Sequence, residues 1–454
     1  MNTMAFDVRD NTLKILYIVH LLPYVPSGGG TTRTYHLVRA ATEIAEVTLI
    51  VAEDDPSGPR VEETGVAYAA VHIIPPPNPL ARTNRLSPPW RPMVRTWKAV
   101  RKLTGDDPFP EGALDRQTLR TTVRDVLAAG QFDLVVCHQL GVAAAIQGIL
   151  EQWGGPRVVD LMDVLSVLED RRQQNLRRQR RRRRPSVSGW RLVSQLRALE
   201  RAAMRSYTGV MAVSEVDARL LQRLVSSKRV DVIPNGVDVG YFGAVTRESS
   251  DRSAGRAERI VFMGSLWYPP NIDGLRFFVQ DIWPAIRRRR PQVHLDIVGN
   301  APTAEILALA EHEGIEVFPS VADVRPFLAT ASVAVVPLRL GTGTRLKILE
   351  ALAAGRPVVT TTVGAEGLEL ETGRDLLLAD EPVAFANCVV RLLEEPVYAR
   401  ELVAHGQEMV RRCYSWDSVT AHFQQLLGQF RPTPDQEAIR PSHLAGHKIV
   451  NTAR

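Results

Sequence analysis

The residues with the most chemical potential in this chain lie in "RLGTGTRLKILEALAAGRPVV", residues 339–359. Gly341, Thr342, Gly343 and Thr344 form a flexible turn after the apolar run "VAVVPL"; Arg345 and Lys347 follow just inside a helix, and Glu350 is a single carboxylate in an otherwise apolar helical pattern. The first N–H groups of a helix have no intrahelical partner and carry the positive end of its dipole, so such a turn suits a phosphate. Cations at that end oppose the dipole unless an anion lies over them. Glu350 could accept hydrogen bonds from a pair of hydroxyls such as those of a ribose. The plain alternative for Lys347 and Glu350 is an i, i+3 surface pair worth ~0.2–0.5 kcal/mol. The Gly/Thr turn, the buried run before it and "GRPVV" returning to a sheet favour a nucleoside-diphosphate site.

Other candidates also follow strand-like runs. Gly28, Gly29 and Gly30 come after "LKILYIV", where a glycine loop lets backbone approach a ligand and donate its N–H groups. The triplet is not G-x-G-x-x-G, so the nicotinamide fingerprint is missing. His138 ends "DLVVCH", although a lone histidine is commonly a satisfied structural residue. Asp163 in "VVDLMDVLS" could touch an acceptor or cap a helix. Glu366 in "VGAEGL", between Gly364 and Gly367, reads as a close-approach loop able to bind sugar hydroxyls. Ser320 and Val321 follow "IEVFP" as loop residues.

The elements that must position these residues are short β-branched runs alternating with helical patterns. Seven fall in the first half, from "LKILYIV" to "RVDVIPN", and six in the second, from "RIVFMG" to "LLLA". Near-continuous apolar strands separated by helices imply parallel sheets covered on both faces, and this many imply two. The expectation is α/β: two doubly wound, Rossmann-like domains facing across a cleft, with ligands at the carboxyl ends of the strands. The chain divides at the turn residues Pro234, Asn235 and Gly236 into a first domain, 1–236, and a second, 237–412. Residues 246–258 read as a polar loop. A final amphipathic helix over 413–430 crosses back, with Trp416, Val419, Phe423, Leu426 and Leu427 on one face, and 431–454 is a disordered tail.

A chain of 454 residues exceeds a single core, and 45% hydrophobic with 23% charged residues fits a globular protein. Cys137, Cys388 and Cys413 are too few and too scattered for a disulfide framework or a metal cluster, and read as reduced thiols of a cytoplasmic protein. The net charge of +6 is local: residues 171–184, "RRQQNLRRQRRRRR", hold nine arginines and no acid, and without them the charge would be −3. That argues against a nucleic-acid binder, which spreads cations over a face with stacking aromatics. Such a run reads first as a solvated, disordered loop, and second as contact with anionic lipid or an anionic acceptor. No segment reaches the ~18 apolar residues of a membrane span.

The run "GTRLKILEALAAGRPVVTTTVGAEGL", with "IPNGVD", "FMGSLWYPPNIDGLRFF" and "PSGGGTTRTYHL", resembles the family-four retaining glycosyltransferases of GT-B fold over roughly residues 13–428. The resemblance is to the subset with "GTRLK" on the donor helix. It implies transfer of a sugar from a nucleotide-diphosphate donor to a hydroxyl acceptor, with retention and with neither cofactor nor required metal; the chain contains no Asp-x-Asp. Glu350 matches the second glutamate of that family's E-x7-E motif, expected on the donor ribose. The first glutamate falls at Thr342, a departure touching donor-sugar recognition. After "RIVFMG", where many relatives carry Arg and Lys, this chain reads "GSLWYPPN", which leaves Arg345 and Lys347 for the diphosphate. The resemblance also puts His138 facing the donor sugar, and Ser320 and Val321 against the nucleobase through main chain. It implies same-face substitution with the leaving phosphate oxygen taking the acceptor proton.

"SPPWRPMVRTWKAVRKL", 87–103, puts Met93, Trp97 and Val100 on one stripe and Arg95, Lys98, Arg101 and Lys102 largely elsewhere. Such a basic amphipathic helix packs on its own domain or lies on an anionic membrane at the inner face; with the arginine run, the second reading makes lipid-linked glycans the acceptors, and a polar small molecule is the competing choice. Two rival functions stay open: a GT-B epimerase of sugar nucleotides, and a catalytically silent binding subunit, raised by Thr342.

Overall fold

A computed structural model describes residues 12–25, 29–53, 55, 58–75, 115–179, 187–248 and 258–431. Gly28, the 87–103 segment, residues 180–184 and 432–454 lie outside the described residues.

The first sheet contains β1 (Leu13–Val19), β2 (Ala45–Val51), β3 (Ala70–Ile73), β4 (Leu134–His138), β5 (Arg157–Leu161), β6 (Gly209–Ala212) and β7 (Asp231–Val232), in the spatial order β3-β2-β1-β4-β5-β6-β7. The second contains β8 (Arg259–Met263), β9 (His294–Gly299), β10 (Ile315–Pro319), β11 (Val333–Val336), β12 (Val358–Thr360) and β13 (Leu377–Leu378), in the order β10-β9-β8-β11-β12-β13. Every strand pairing within both sheets is parallel. Both sheets are doubly wound, and the order reverses at β1/β4 in one and β8/β11 in the other. Those reversals open the crevices where ligands of such sheets bind.

Burial on both faces explains the apolar runs. Along β1, Leu16 and Ile18 enter one core layer while Leu13, Ile15, Tyr17 and Val19 enter the opposite one, the alternation a pleated strand imposes. The second sheet is sandwiched likewise.

The helices used below are α1 (Gly29–Thr42), α2 (Leu140–Trp153), α3 (Leu165–Gln179), α4 (Val187–Ser206), α5 (Glu215–Gln222), α6 (Pro269–Phe277), α7 (Leu346–Ala353) and α8 (Trp416–Gly428). Trp416, Val419, Phe423, Leu426 and Leu427 of α8 join the first domain's core, and Trp416 stacks on His36 of α1 with ring centroids 4.0 Å apart. The helix begins later than the periodicity predicts: Val410–Tyr414 is a π turn, and Ser415 caps the helix by accepting from the Ser418 N–H.

Four sequence expectations are corrected. Residues 171–179 of the arginine run form the second half of α3, with Arg171, Arg172 and Asn175 hydrogen-bonded to other side chains, and are not a loop. Residues 246–248 extend the helix Val239–Glu248. Gly29 and Gly30 open α1 instead of forming a loop. Arg345 precedes α7 as its N-cap residue with φ −94° and ψ 93°, outside the helix.

Candidate functional site

The second domain's contribution grows from the ends of β8 and β11. Gly264 follows β8 with φ +147°, and a Cβ there would stand 2.7 Å from Lys347 Nζ and 2.9 Å from Asn271 Nδ2. Glycine is therefore required where the Lys347 ammonium rests. Lys347 Nζ donates to Asn271 Oδ1 at 2.7 Å and lies 4.3 Å from the centre of the Phe262 ring. Its ammonium rests on an amide and a ring face and not on Glu350, which excludes the simple Lys347–Glu350 surface pair. Burial, reinforced by Arg345, lowers Lys347 to about 7. Burial raises Glu350 to about 7 against the opposing pull of Lys347.

The loop after β11 turns on Gly341 and Gly343, with φ +134° and +73°. Arg345 folds back over it and donates through Nη1 to the carbonyls of Thr342 and, at 2.7 Å, Gly343, while Nη2 is buried without a partner. Thr342 Oγ1 donates to Asp163 Oδ1 at 3.1 Å, so the side chain at the missing-glutamate position touches the first domain. Burial raises the Asp163 carboxyl, with Arg345 and Thr342 partly offsetting it. Thr344 Oγ1 accepts from Asn235 Nδ2 at 2.7 Å.

More contacts cross the cleft. Arg171 of α3 grips Glu366 with both terminal nitrogens, Nη2 to Oε1 at 2.8 Å, and donates to the Gly341 carbonyl at 2.6 Å. Glu366 thus already serves as an interdomain anchor. Asp217 on α5 is raised to about 6 by burial, with Ser214 opposing and Asp163 and Glu366 adding to the rise. Ser320 follows β10 in the left-handed region, φ +55°, its N–H bonded to the Gly299 carbonyl at 2.8 Å, and Val321 packs against the second core. Gly364 has no room for a side chain, since a Cβ would lie 2.8 Å from the Val336 carbonyl.

On the first domain His138 ends β4, 1% exposed, with Nδ1 2.9 Å from Asp160 Oδ2. Gln139 after it holds φ +75°, an uncommon conformation for a non-glycine residue, and together with His20, Thr31 and Thr34 it lines a small cavity beside the histidine. Gly30, in the first turn of α1, lies under Met162: a Cβ would be 3.1 Å from its terminal methyl. Arg33 of the same helix binds Asp160 through Nε at 2.9 Å and Nη2 at 3.1 Å, and its Nη1 reaches the Pro234 carbonyl at 2.9 Å and Asn235 Oδ1 at 3.2 Å.

The fold thus brings Asp163, Thr342, Arg345 and Glu366 to the interdomain cleft, sets Lys347 and Glu350 along one helix beside it, and places Ser320 and Val321 on a loop and Gly364 in the short helix Thr362–Ala365 of the second domain. Sequence reasoning missed Arg33, Asp160, Arg171, Asn235, Gly264 and Asn271. Asp160 alone carried a visible signal: a carboxylate inside an apolar strand demands a buried partner. Among the described residues no group of three or more His, Cys, Asp or Glu side chains is placed to hold a metal, and no helix is long and apolar enough to cross a membrane.

Comparison with known proteins fits this geometry. Residues 28–236 match a model described as glycosyl transferase 4-like domain, and residues 257–395 match glycosyl transferases group 1. The chain is 27% identical over 416 residues to the MMP alpha-(1->4)-mannosyltransferase of Mycolicibacterium hassiacum, covering 87% of this chain and 93% of that one. Among solved structures, the sucrose-phosphate synthase of Thermosynechococcus elongatus superposes with a TM-score of 0.66 at 18% identity, covering 92% of this chain and 98% of the other. Anabaena HepE in complex with UDP-glucose gives 0.63 at 16% identity, covering 92% and 100%. With both halves matched in order and the two doubly wound sheets in place, the chain belongs to the family-four, nucleotide-sugar-dependent glycosyltransferases of GT-B fold.

Proposed function

We propose that this glycosyltransferase retains anomeric configuration and binds its nucleotide-diphosphate donor along α7. Lys347, Arg345 and the amides around Gly341–Thr344 face the diphosphate, Glu350 takes the ribose hydroxyls, and main chain at Ser320 and Val321 meets the base. The sugar extends toward Gly30 and His138, and Asp163 and Glu366 stand toward the acceptor side. The C1–O bond to the β-phosphate breaks, the acceptor oxygen bonds to C1 from the same face, and its proton passes to the departing phosphate oxygen. Arg345 and Lys347 offset the charge that develops there. To do so Arg345 exchanges its bonds to the Thr342 and Gly343 carbonyls for phosphate oxygens, while its buried Nη2 has no bond to give up.

The carrying observation is Lys347: an ammonium within the fold, held by Asn271 and Phe262, with no carboxylate in ion-pair reach among the described residues. Such a charge calls for an anion. Calorimetric titration with a panel of nucleoside diphosphates tests the reading. Micromolar binding of one of them, lost in Glu350→Ala and Lys347→Ala, supports it; a folded protein that binds none overturns it. Shallow contact with an anionic membrane through 87–103 and the arginine run, at an inner membrane face, belongs to the same proposal. Salt-sensitive sedimentation with anionic vesicles is its test, and no binding at low salt removes it.

A further inference from the structure

The first domain has a second concavity, away from the donor side. Val167 of α3 with Leu220 and Leu224 of α5 and its exit form its apolar floor, and Arg197, Arg201 and Arg223 rim it. Val164, also in its lining, is the residue after Asp163, which places the groove near the interdomain contact of Asp163 with Thr342.

Three guanidinium groups around one groove need an explanation. Arg197 and Arg201 are one turn apart on α4, a spacing at which like charges destabilise a helix. Arg223 faces them from the end of α5. Among the described residues none of the three makes a hydrogen bond or an ion pair through its guanidinium. Glu200, the acid between the two α4 arginines, is 1% exposed and turned inward, where its Oε1 accepts the Ser166 N–H at 2.9 Å. Arg197 opposes the burial that raises the Glu200 carboxyl, while Arg201 and Arg223 are exposed and open to an anion. Trp190, 64% exposed, stands seven residues before Arg197 and eleven before Arg201. At 3.6 residues per turn these three share one face of α4, a stripe about 16 Å long. An exposed indole in line with arginines is the pairing found where a protein meets the polar edge of a lipid.

An inorganic anion would use the arginines and leave the apolar floor unexplained; a neutral apolar molecule would do the reverse. We propose that this groove binds a single-chain lipid phosphate, with the phosphate among Arg197, Arg201 and Arg223 and the chain over Val167, Leu220 and Leu224 toward Trp190. Its role rests on the transferase reading, because a groove opening beside Asp163 would hold the lipid end of an acceptor whose hydroxyl enters the cleft. The binding itself does not depend on that reading.

The test is calorimetric titration of the full chain with farnesyl phosphate below its micellar concentration, alongside farnesol and inorganic phosphate. Farnesyl phosphate should bind in the micromolar range, with farnesol and inorganic phosphate at least tenfold weaker. The pair Arg197→Gln with Arg201→Gln should weaken it at least tenfold. Arg223→Gln, exposed and on a different element, should do so independently, and nucleotide titration of the cleft should be unchanged in all of them. No binding of farnesyl phosphate, equal binding by these variants, or inorganic phosphate binding as tightly would each overturn the proposal. A protein that binds farnesyl phosphate but no nucleotide would sink the transferase reading and leave the groove standing.

Discussion

Arg33 and Asp160, 127 residues apart, form a two-bond ion pair in the first domain, 1% and 0% exposed, and the same carboxylate lies 2.9 Å from His138. Arg33 also reaches Pro234 and Asn235, and Asn235 reaches Thr344, so one chain of polar contacts joins His138 to the Gly341–Thr344 loop of the second domain. Asp160→Asn keeps the shape but leaves Arg33 buried and uncompensated. Breaking a buried pair costs about 3–5 kcal/mol, to be read from chemical denaturation. Arg33 and His138 hold the Asp160 carboxyl well below the usual carboxylate range against burial, which opposes them. A depressed carboxylate contributes stability that is present above its unfolded pKa of ~4 and lost as pH falls below it. Wild type should therefore lose stability across that acid range with a slope the variant lacks.

Gly264→Ala tests the seat of Lys347. The new methyl would stand 2.7 Å from the ammonium and 2.9 Å from the Asn271 amide at a backbone angle that L-residues rarely adopt. The lysine end can move, but only away from where it sits. Nucleotide affinity should fall at least tenfold, about 1.4 kcal/mol, while Gly428→Ala, with nothing within 4 Å of the added carbon, should leave it unchanged. Equal affinities for the two variants would refute the arrangement.

What could be read from the sequence divides along the range of the forces involved. "LKILYIV" coincides with β1 to the residue, because an inner strand buried on both faces is apolar nearly throughout; "IEVFP" coincides with β10, an edge strand whose Glu316 faces solvent. The stretch 171–179 misled because nine arginines in fourteen residues look self-repelling when each is judged against its neighbours in sequence. In the fold Arg171 meets Glu366, 195 residues away, and Asn175 meets Asp273, 98 away. Thr342 is instructive in the same way. Its hydroxyl lies on Asp163, 179 residues earlier, and no local pattern could have revealed that partner.

That contact supplies a third prediction. Restoring the family's glutamate with Thr342→Glu would bring a second carboxylate against Asp163, whose own carboxyl burial already raises. Like charges at close range resist joint ionisation. The variant should be less stable at pH 8 than at pH 5, relative to wild type, by thermal denaturation, and should gain no donor affinity. A stability difference independent of pH would show that Asp163 does not face the new side chain.

Lys347 and Glu350 predict a proton signature. Glu350 is raised from 4.5 to about 7, so the folded protein keeps a proton the unfolded chain has released and stability falls as pH rises through that window. Lys347 is lowered from 10.5 to about 7, so the unfolded chain holds the extra proton above neutrality and stability rises again. Their joint contribution is a minimum near neutral pH in the free protein. Donor binding should reverse both shifts. Hydroxyls favour ionised Glu350 and a diphosphate favours charged Lys347, giving proton release at pH 6 and uptake at pH 8. Calorimetry in buffers of different ionisation enthalpy measures this directly; heats that do not depend on buffer at either pH would remove both residues from the donor site.

The ion pair between Arg171 and Glu366 bears on closure of the cleft. Both side chains are partly exposed, at 28% and 26%, so solvent screens part of their attraction. The two-nitrogen grip and the added bond to the Gly341 carbonyl strengthen it beyond an ordinary surface pair. A double-mutant cycle with Arg171→Ala and Glu366→Ala should return a coupling of about 1 kcal/mol in denaturation. Because Gly341 lies in the loop proposed to bind the donor, Arg171→Ala should also raise the KM for donor more than it lowers kcat, whereas loss of a chemical step would do the opposite. A coupling near zero, with KM unchanged, would mean that this pair does not hold the cleft closed and that other contacts, such as those at Asp163, Asn235 and Asn175, do so.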